Sequence, residues 1–404
     1  MAPLDYISIQ AKIDSMENLP ISDLKVLDLS QHVSGPYCTK LLADFGADVI
    51  KIENPHGGDT SRCYGPYPED IPDREKSGLF LYLNTNKKSI TLDLGTETGT
   101  LILEQLVPQM DILVENLGPG SIDYQKLQAL NPSLIIASIS YFGQDGPFRD
   151  YQGSDIVAQA LGGMMTLTGL SDREPLKLAG PQAEYQAGIN AAIAIMTALH
   201  FRDETGLGQH IDISVMECLA SILEGSLLSQ NYDGTVRERD GARHPTMYPS
   251  TILPCKDGYI HVDASTDWET FATFAQIPEL LEFKPEDLRE KANEIDTLLT
   301  RWLAQYTMEE IFHKAQEWRL PFAMVLGADN LSNDPQMIAR DYFIDIEHPV
   351  TGQLSYPGSP FKMSRCQPKT GRAPLLGEQN QEIYCDLLGY SFLDLTKLSA
   401  MGVV

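Results

Sequence analysis

Through the first half of the chain, short β-branched runs alternate with stretches of helical period. VLDLS precedes a helix predicted from about Pro36 to Phe45; DVIKIE and SITLDL follow, then a helix near 96–107, DILVE, a helix near 121–130, and LIIASIS. Strands alternating with helices of this length call for a largely parallel sheet covered on both faces. Ligands of such sheets sit beyond the carboxyl ends of the strands, and those ends carry SQHVSGP, ENPHGGD, ENLGPG and SYFGQDGP. Four polar, glycine-bearing loops at one sheet edge make a candidate site, although turn chemistry alone also places Gly and Pro there.

From Gln186 to Leu199 the segment QAGINAAIAIMTAL is apolar nearly all round, which predicts a buried helix, with Thr205-Gly206-Leu207-Gly208 as its stop signal. HIDISVMECLASILEG then reads as a strand running into a helix. A different character follows. TILPCKDGYIHVDA predicts a hairpin turning at Asp257-Gly258, and WETFATFAQIPELLEF, NEIDTLLTRWLAQY and MEEIFHKAQEWRL read as amphipathic helices. The expected organisation is a large α/β lobe over 1–225, a small lobe with linkers over 226–330, and a return to the large lobe over 331–404. The tail is expected to hold short strands and a final helix, and no repeat or low-complexity segment interrupts the chain.

With 404 residues, 43% hydrophobic and 21% charged, the chain can build a substantial core in two lobes. The formal charge of -26 leaves no basic surface suited to a phosphate backbone, so nucleic acid is not an expected partner and any anionic cofactor must be met by local charge. No apolar stretch approaches the roughly 20 residues that span a bilayer, and MAPLDYISIQAKIDSMENLP has neither a basic start nor an apolar block, so a cytoplasmic protein with no membrane partner is expected. Cys38, Cys63, Cys218, Cys255, Cys366 and Cys385 are scattered, without a CxxC pair or clustered histidine; they read as reduced, mostly buried thiols, with no metal site. GGD at 57–59 lacks the Lys-Ser/Thr of a phosphate-binding loop, no GxGxxG follows the first strand, and no GxSxG occurs, so nucleotide hydrolysis, dinucleotide redox chemistry and serine hydrolysis are unsupported.

A series of blocks in one order does carry a resemblance: LADFGADVIKIENPHGGDTSR (42–62), NTNKKSITLDL (84–94), DILVENLGPG (111–120), NPSLIIASISYFGQDGP (131–147), GSDIVAQALGG (153–163), RDETGLGQHIDISVMEC (202–218) and APLLGEQNQEIYCDLLGY (373–390). Across almost its whole length the chain resembles the family III CoA-transferases, the group of formyl-CoA transferase and carnitine CoA-transferase. The resemblance implies a Rossmann-like large lobe, a smaller α+β lobe, and two chains threaded as an interlocked, ring-like homodimer. It also implies a carboxylate at the start of the buried helix that attacks an acyl-CoA thioester, with coenzyme A as substrate and product rather than a permanently bound cofactor.

The family's carboxylate is an aspartate; alignment places Glu184 of AGPQAEYQAG on it. The loop before Glu184 is one residue shorter, which offsets a stem one methylene longer and keeps a nucleophile in place on one reading. On the other, near-attack geometry tolerates little displacement, and Glu184 is a general base or a relic. A helix start favours its anionic form in either case. For the cofactor, the resemblance points to Gln31, His32, Val33 and Ser34 after the first strand, Arg62 ending GGDTSR, Asn84, Lys87 and Lys88 of NTNKKS, and Asn116, Leu117 and Gly118 of ENLGPG. His32 is one place away from the family's histidine. The family's arginine after ENLGPG is missing from a shortened loop, leaving Lys126 or Arg149 to compensate, or an acyl thioester on another carrier as substrate. Tyr141, Gln144, Gly162 and Gly163 are candidates for the substrate cleft. Asp155, which pairs with an upstream histidine in related racemases, has no such histidine here and reads as a structural or capping residue. The reaction expected is CoA transfer between an acyl-CoA and a carboxylic acid. The alternatives are a lyase, decarboxylase, isomerase or hydrolase of the same fold using Glu184 in acid/base chemistry, or a non-enzymatic acyl-CoA-binding scaffold.

Overall fold

The computed structural model describes residues 19–404 apart from Thr266. Most of the N-terminal stretch inspected for targeting signals, residues 1–18, therefore lies outside the described residues. Two compact units emerge. The larger comprises the described part of Met1–Gly162 together with Ala179–Ile222 and Arg340–Val404; the smaller comprises Gly163–Leu178 and Leu223–Ala339. Residues 163–178, which periodicity left in the large lobe, pack with the smaller unit.

A six-stranded sheet organises the larger unit: β1 (Lys25–Asp28), β2 (Asp48–Glu53), β3 (Lys88–Thr91), β4 (Ile112–Glu115), β5 (Ile135–Ser140) and β6 (His210–Ser214). All neighbours are parallel, in the order β3-β2-β1-β4-β5-β6. Successive side chains on a strand face opposite ways. Val26, Ile112, Val114, Ile135 and Ala137 enter one core with the helices Ser34–Asp44 and Gln182–Thr205, while Leu27, Leu113 and Ile136 enter another with Glu97–Leu106 and Phe392–Ala400. Two covered faces account for runs such as ILVE and IIASIS being buried throughout, their Glu115, Ser138 and Ser140 included. Strand order reverses direction between β1 and β4, so the loops after these strands flank the switch point where doubly wound sheets open a crevice.

The long helix Gln182–Thr205 ends as its sequence predicts, with Gly206 in the left-handed region (φ 76°). It is not buried all round. Ala183, Ala187, Gly188, Ala191, Ile195 and Ala198 face the core, whereas Ile189, Ile193 (60% exposed), Met196 and Phe201 face outward. Small residues on the inner face permit close approach to Ser34–Asp44. A Cβ on Gly188 would stand 2.6 Å from the backbone oxygen of Ser34. The tail supplies an antiparallel pair, Phe343–His348 with Gly352–Pro357, and the final helix.

In the smaller unit, Ser250–Pro254 and Tyr259–Asp263 form the expected hairpin, joined by the short strand Ala323–Met324. Trp268–Ala275, Ala292–Leu303 and Met308–Glu317 pack Phe271, Leu299, Trp302, Ile311 and Phe322 into a core of its own. Among the described residues no helix is long and apolar enough to cross a membrane. The six cysteines are free, but only Cys38 and Cys218 are buried; Cys63 is exposed, because it closes a surface turn rather than a core strand.

Replacing Gly188 by Ala pushes the new methyl against main chain, which cannot swing aside, so the two helices must separate. A loss of about 1–3 kcal/mol is expected, read as a lower urea midpoint with an unchanged m-value.

Candidate active site

The site grows from a set of charges buried at the carboxyl ends of β1 and β2. Asp28, the last residue of β1, accepts hydrogen bonds from Thr39 Oγ1 (2.6 Å), Lys87 Nζ (3.0 Å) and the Ser30 N–H (3.0 Å), and from the Ser30 hydroxyl. Lys51 of β2 lies 3.8 Å from Asp28 Oδ2 and 2.7 Å from Asp59 Oδ2, and it donates to the Ser30 carbonyl (2.8 Å). The side chains of Asp28, Lys51 and Asp59 are fully enclosed. Burial works against ionisation of Asp28 and Asp59, but Lys51, with Lys87 beside Asp28, holds both carboxyls below their ordinary range. Burial likewise opposes the Lys51 charge, yet Asp28 and Asp59 raise its value. Lys87 fares differently: burial, and then the nearby Lys51, push it down to about 8 against the pull of Asp28.

Through this cluster the loop after β1 is fixed. Asp59 Oδ1 accepts from the Ser61 N–H (2.7 Å) and from the His32 N–H (3.0 Å), and His32 sits in the left-handed region at φ 66°. Asn116, at the end of β4, closes the switch point by exchanging hydrogen bonds with the Gln31 main chain (2.8 and 2.7 Å) and donating to Ser34 Oγ (3.1 Å).

Glu184 lies in the first turn of Gln182–Thr205 and is 4% exposed. Both its oxygens are engaged: Tyr141 donates its hydroxyl to Oε1 (2.9 Å), and His32 Nδ1 lies 3.2 Å from Oε2. The hydrogen bond to Glu184 raises the His32 pKa against the opposing effect of burial, with the charges of Glu184, Asp59 and Asp155 adding to it. Burial, then the Glu184 charge, push the Tyr141 phenol far up, so it stays protonated as a donor. Asp155 Oδ1 accepts from the main-chain N–H groups of Ala183 (2.8 Å) and Glu184 (3.3 Å), and so caps the helix. Gly153 makes room for Tyr141: a Cβ there would stand 2.2 Å from its ring.

The other candidate residues separate by location. Val33 is buried, Ser34 opens the Ser34–Asp44 helix, the Leu117 N–H donates to Glu115 Oε2 (2.7 Å), and Gly118 takes φ 99°. Arg62, Asn84 and Lys87 belong to the interior framework, contrary to their reading as cofactor contacts. Arg62 forms a fork with Glu53 (Nε 2.7 Å, Nη2 2.9 Å), meets Glu75 (2.8 Å), and lies 3.6 Å over the Phe80 ring, with no exposure. Lys87 uses its three protons on Asp28, the Pro36 carbonyl and Asn84 Oδ1, and Asn84 Nδ2 donates to the Phe80 carbonyl. Lys88 stands at the amino end of β3, paired with Asp48 and Glu382 at 3.0 Å each, away from the carboxyl-end loops. Lys126 pairs with Glu104 and Arg149 with Asp150. The Gln144 N–H donates to Asp212 (2.9 Å), and its buried side-chain Nε2 has no partner among the described residues. Gly162 ends the Asp155–Leu161 helix; Gly163, at φ 85°, begins the smaller unit's first segment. Among the described residues no group of three or more His, Cys, Asp or Glu side chains is placed to hold a metal ion.

Lys51 and Asp59 were not singled out from sequence, although a lysine inside DVIKIE, a strand of a sheet covered on both faces, is itself a signal of a buried ion pair.

A doubly wound sheet with a buried carboxylate at a helix start defines a class, and the comparisons agree with it. The sequence profile of CoA-transferase family III matches residues 21–380, and the chain belongs to that family. It is thus an enzyme of the transferase class. It is 34% identical over 407 residues to the succinyl-CoA–D-citramalate CoA-transferase of Chloroflexus aurantiacus, covering 95% of this chain and 98% of that one. To the succinyl-CoA:mesaconate CoA-transferase of Haloarcula hispanica it is 35% identical over 379 residues, covering 90% and 95%. The crystal structure of a CAIB/BAIF family protein from Brucella suis superposes with a TM-score of 0.83 at 31% identity, over 92% of this chain and all of that one.

Replacing Gly153 by Ala drives a methyl into the Tyr141 ring and so displaces the donor on Glu184 Oε1. Gly153→Ala and Tyr141→Phe are expected to lower kcat to a similar degree, on the order of 10-fold for one lost hydrogen bond, and the double variant to lose little more. Lys51→Met leaves Asp28 and Asp59 buried without their shared cation; a loss of about 3–5 kcal/mol in chemical denaturation is expected.

Proposed function

We propose that the protein transfers CoA from an acyl-CoA to a carboxylic acid, with Glu184 as the nucleophile. The observation that carries this reading is the state of its carboxylate: buried at a helix start, oriented by Tyr141 and His32, and paired with no lysine or arginine among the described residues. Asp155, not Glu184, satisfies the helix N–H groups, so the Glu184 oxygens are not committed to main chain.

In this reaction a Glu184 oxygen attacks the thioester carbonyl. The C–S bond breaks, its electron pair leaves with CoA thiolate, and a mixed anhydride remains. Thiolate then attacks the Glu184 carbonyl, releasing the donor acid and leaving a glutamyl-CoA thioester. An acceptor carboxylate repeats the two steps in reverse order and departs as the new acyl-CoA. The names of both relatives above contain succinyl-CoA, which makes it the first donor to test. Gln31 to Ser34 and Asn116 to Gly118, at the switch point, are the proposed CoA contacts; Tyr141, Gln144 and Gly162 are the proposed acyl cleft, a role supported by the Gln144 amide, whose Nε2 has no partner among the described residues. No permanently bound cofactor is needed.

We further infer a cytoplasmic homodimer. The outward Ile193 and Met196 border an apolar groove of about 640 Å³ with Ile21, Leu41 and Phe45, a surface that favours self-association.

Incubation with succinyl-CoA followed by hydroxylamine or borohydride is expected to mark Glu184 in a peptide map, and Glu184→Gln to lose on the order of 10³-fold or more in turnover. An unmodified Glu184 peptide, or product formed with no carboxylate acceptor, would instead point to a lyase, isomerase or hydrolase of the same fold.

A further inference from the structure

Attack by Glu184 moves a negative charge. Before it, the carboxylate is the anion; after it, the carboxylate oxygen is bonded to the acyl carbon and the electron pair of the broken C–S bond resides on sulfur. A buried thiolate without a counter-ion is a poor leaving group, since desolvation strongly disfavours an isolated charge. Whatever cation had balanced the carboxylate is then left beside the new anion.

We propose that His32, as the imidazolium that pairs with Glu184 in the resting enzyme, becomes the counter-ion of the departing CoA thiolate. The proposal rests on Glu184 being the nucleophile and assigns the neighbouring histidine a role of its own. No proton need be gained or lost: the imidazolium exchanges a carboxylate for a thiolate, and exchanges it back when sulfur attacks the anhydride.

Three observations support this role. His32 is the only cationic-capable side chain that contacts Glu184 among the described residues, at 3.2 Å. Its ring spans the boundary of the site: Nδ1 is on Glu184, which is 5% exposed, while the His32 side chain is 32% exposed, and no described residue pairs with its Nε2. Its backbone is held in a left-handed conformation by Asp59, itself fixed by Lys51, an arrangement far more elaborate than orienting a carboxylate requires when Tyr141 already does so.

The groups facing the ring are Glu184 from the Gln182–Thr205 helix, Asp59 from the loop after β2, Asp155 from the head of its own helix, and Tyr64, whose ring packs edge-on at 5.0 Å; Tyr141 stands on the far side of the carboxylate and Lys51 behind Asp59. The hydrogen bond to Glu184 and these acids raise the His32 pKa above the ordinary histidine value. The working form is therefore present at and below that ordinary value and is lost as pH rises through the raised one.

The test is single-turnover release of succinate from succinyl-CoA, with CoA carried onto Glu184, by the wild-type enzyme, His32→Gln and His32→Asn, from about pH 6 to about pH 9, bracketing the ordinary histidine value. Asparagine tolerates the left-handed backbone, so the second variant keeps the loop if the first disturbs it. The wild-type rate is expected to fall along an alkaline limb. Both variants are expected to release succinate on the order of 10²-fold more slowly, to lack that limb, and to recover most of the loss with a succinyl thioester of a more acidic thiol, which needs less help to leave. A variant with the wild-type pH profile and the same penalty for every thiol would overturn the proposal. Mapping the adduct in the same reactions separates the two ideas: an unmodified Glu184 in the wild type removes the nucleophile reading, whereas modification at equal rates in all three proteins removes only the role of His32.

Discussion

One ammonium group, Lys51 Nζ, lies between the carboxylates of Asp28 and Asp59, all three fully enclosed, and the site is built outward from that contact. Charges so enclosed persist only when each is paired and hydrogen-bonded. The requirement is met by Ser30, Thr39, Lys87 and Ser61, which draw the ends of β1 and β2 and the turn after β2 into one fixed body. His32 inherits its unusual backbone from this body, and the placement of its ring on Glu184 follows. A cluster that contributes nothing to the hydrophobic core thus determines where the reactive end of the helix is met.

Two carboxylates reach the start of the long helix, and they divide its demands. Asp155 accepts from the Ala183 and Glu184 N–H groups, which any helix start must satisfy. Glu184 is thereby relieved of capping and turns its oxygens toward Tyr141 and His32. Had Glu184 capped its own helix, its lone pairs would be committed to main chain. Asp155 therefore serves the helix start and leaves both Glu184 oxygens to side chains.

Much of the architecture was legible in the chain. Two-residue periodicity and continuous apolar runs identified the strands, Gly206 the helix stop, and Asp257-Gly258 the hairpin, because each depends on interactions a few residues apart. The start of the long helix was legible only in part: periodicity begins it at Gln186 whereas it opens at Gln182, and the family resemblance, not a local pattern, put Glu184 at its head. The roles of Arg62, Asn84 and Lys87 were not. Polar residues in loops look alike in sequence whether they face a ligand or a partner 59 positions away, as Lys87 faces Asp28. Exposure of Ile189, Ile193 and Met196 was equally hidden, since an all-apolar helix pattern does not tell a face turned to the interior from one turned outward. The aspect of His32 that matters, its reach to Glu184 across 152 positions, depends on Asp59 and Lys51, whose own partners come from different strands.

The interior ions nearly cancel. Among the described residues the buried acids Asp28, Glu53, Asp59, Glu115 and Glu184 stand against Lys40, Lys51, Arg62 and Lys87, so almost all of the formal charge of -26 is carried by the surface. An acyl-CoA, itself polyanionic, must then approach a molecule of its own sign. Mobile ions shorten the reach of that repulsion, to a Debye length of about 8 Å at physiological ionic strength. Added salt should consequently speed the encounter rather than slow it, the reverse of what basic proteins show toward phosphate-bearing ligands, and turnover measured in dilute buffer will understate the enzyme's capacity in a cell.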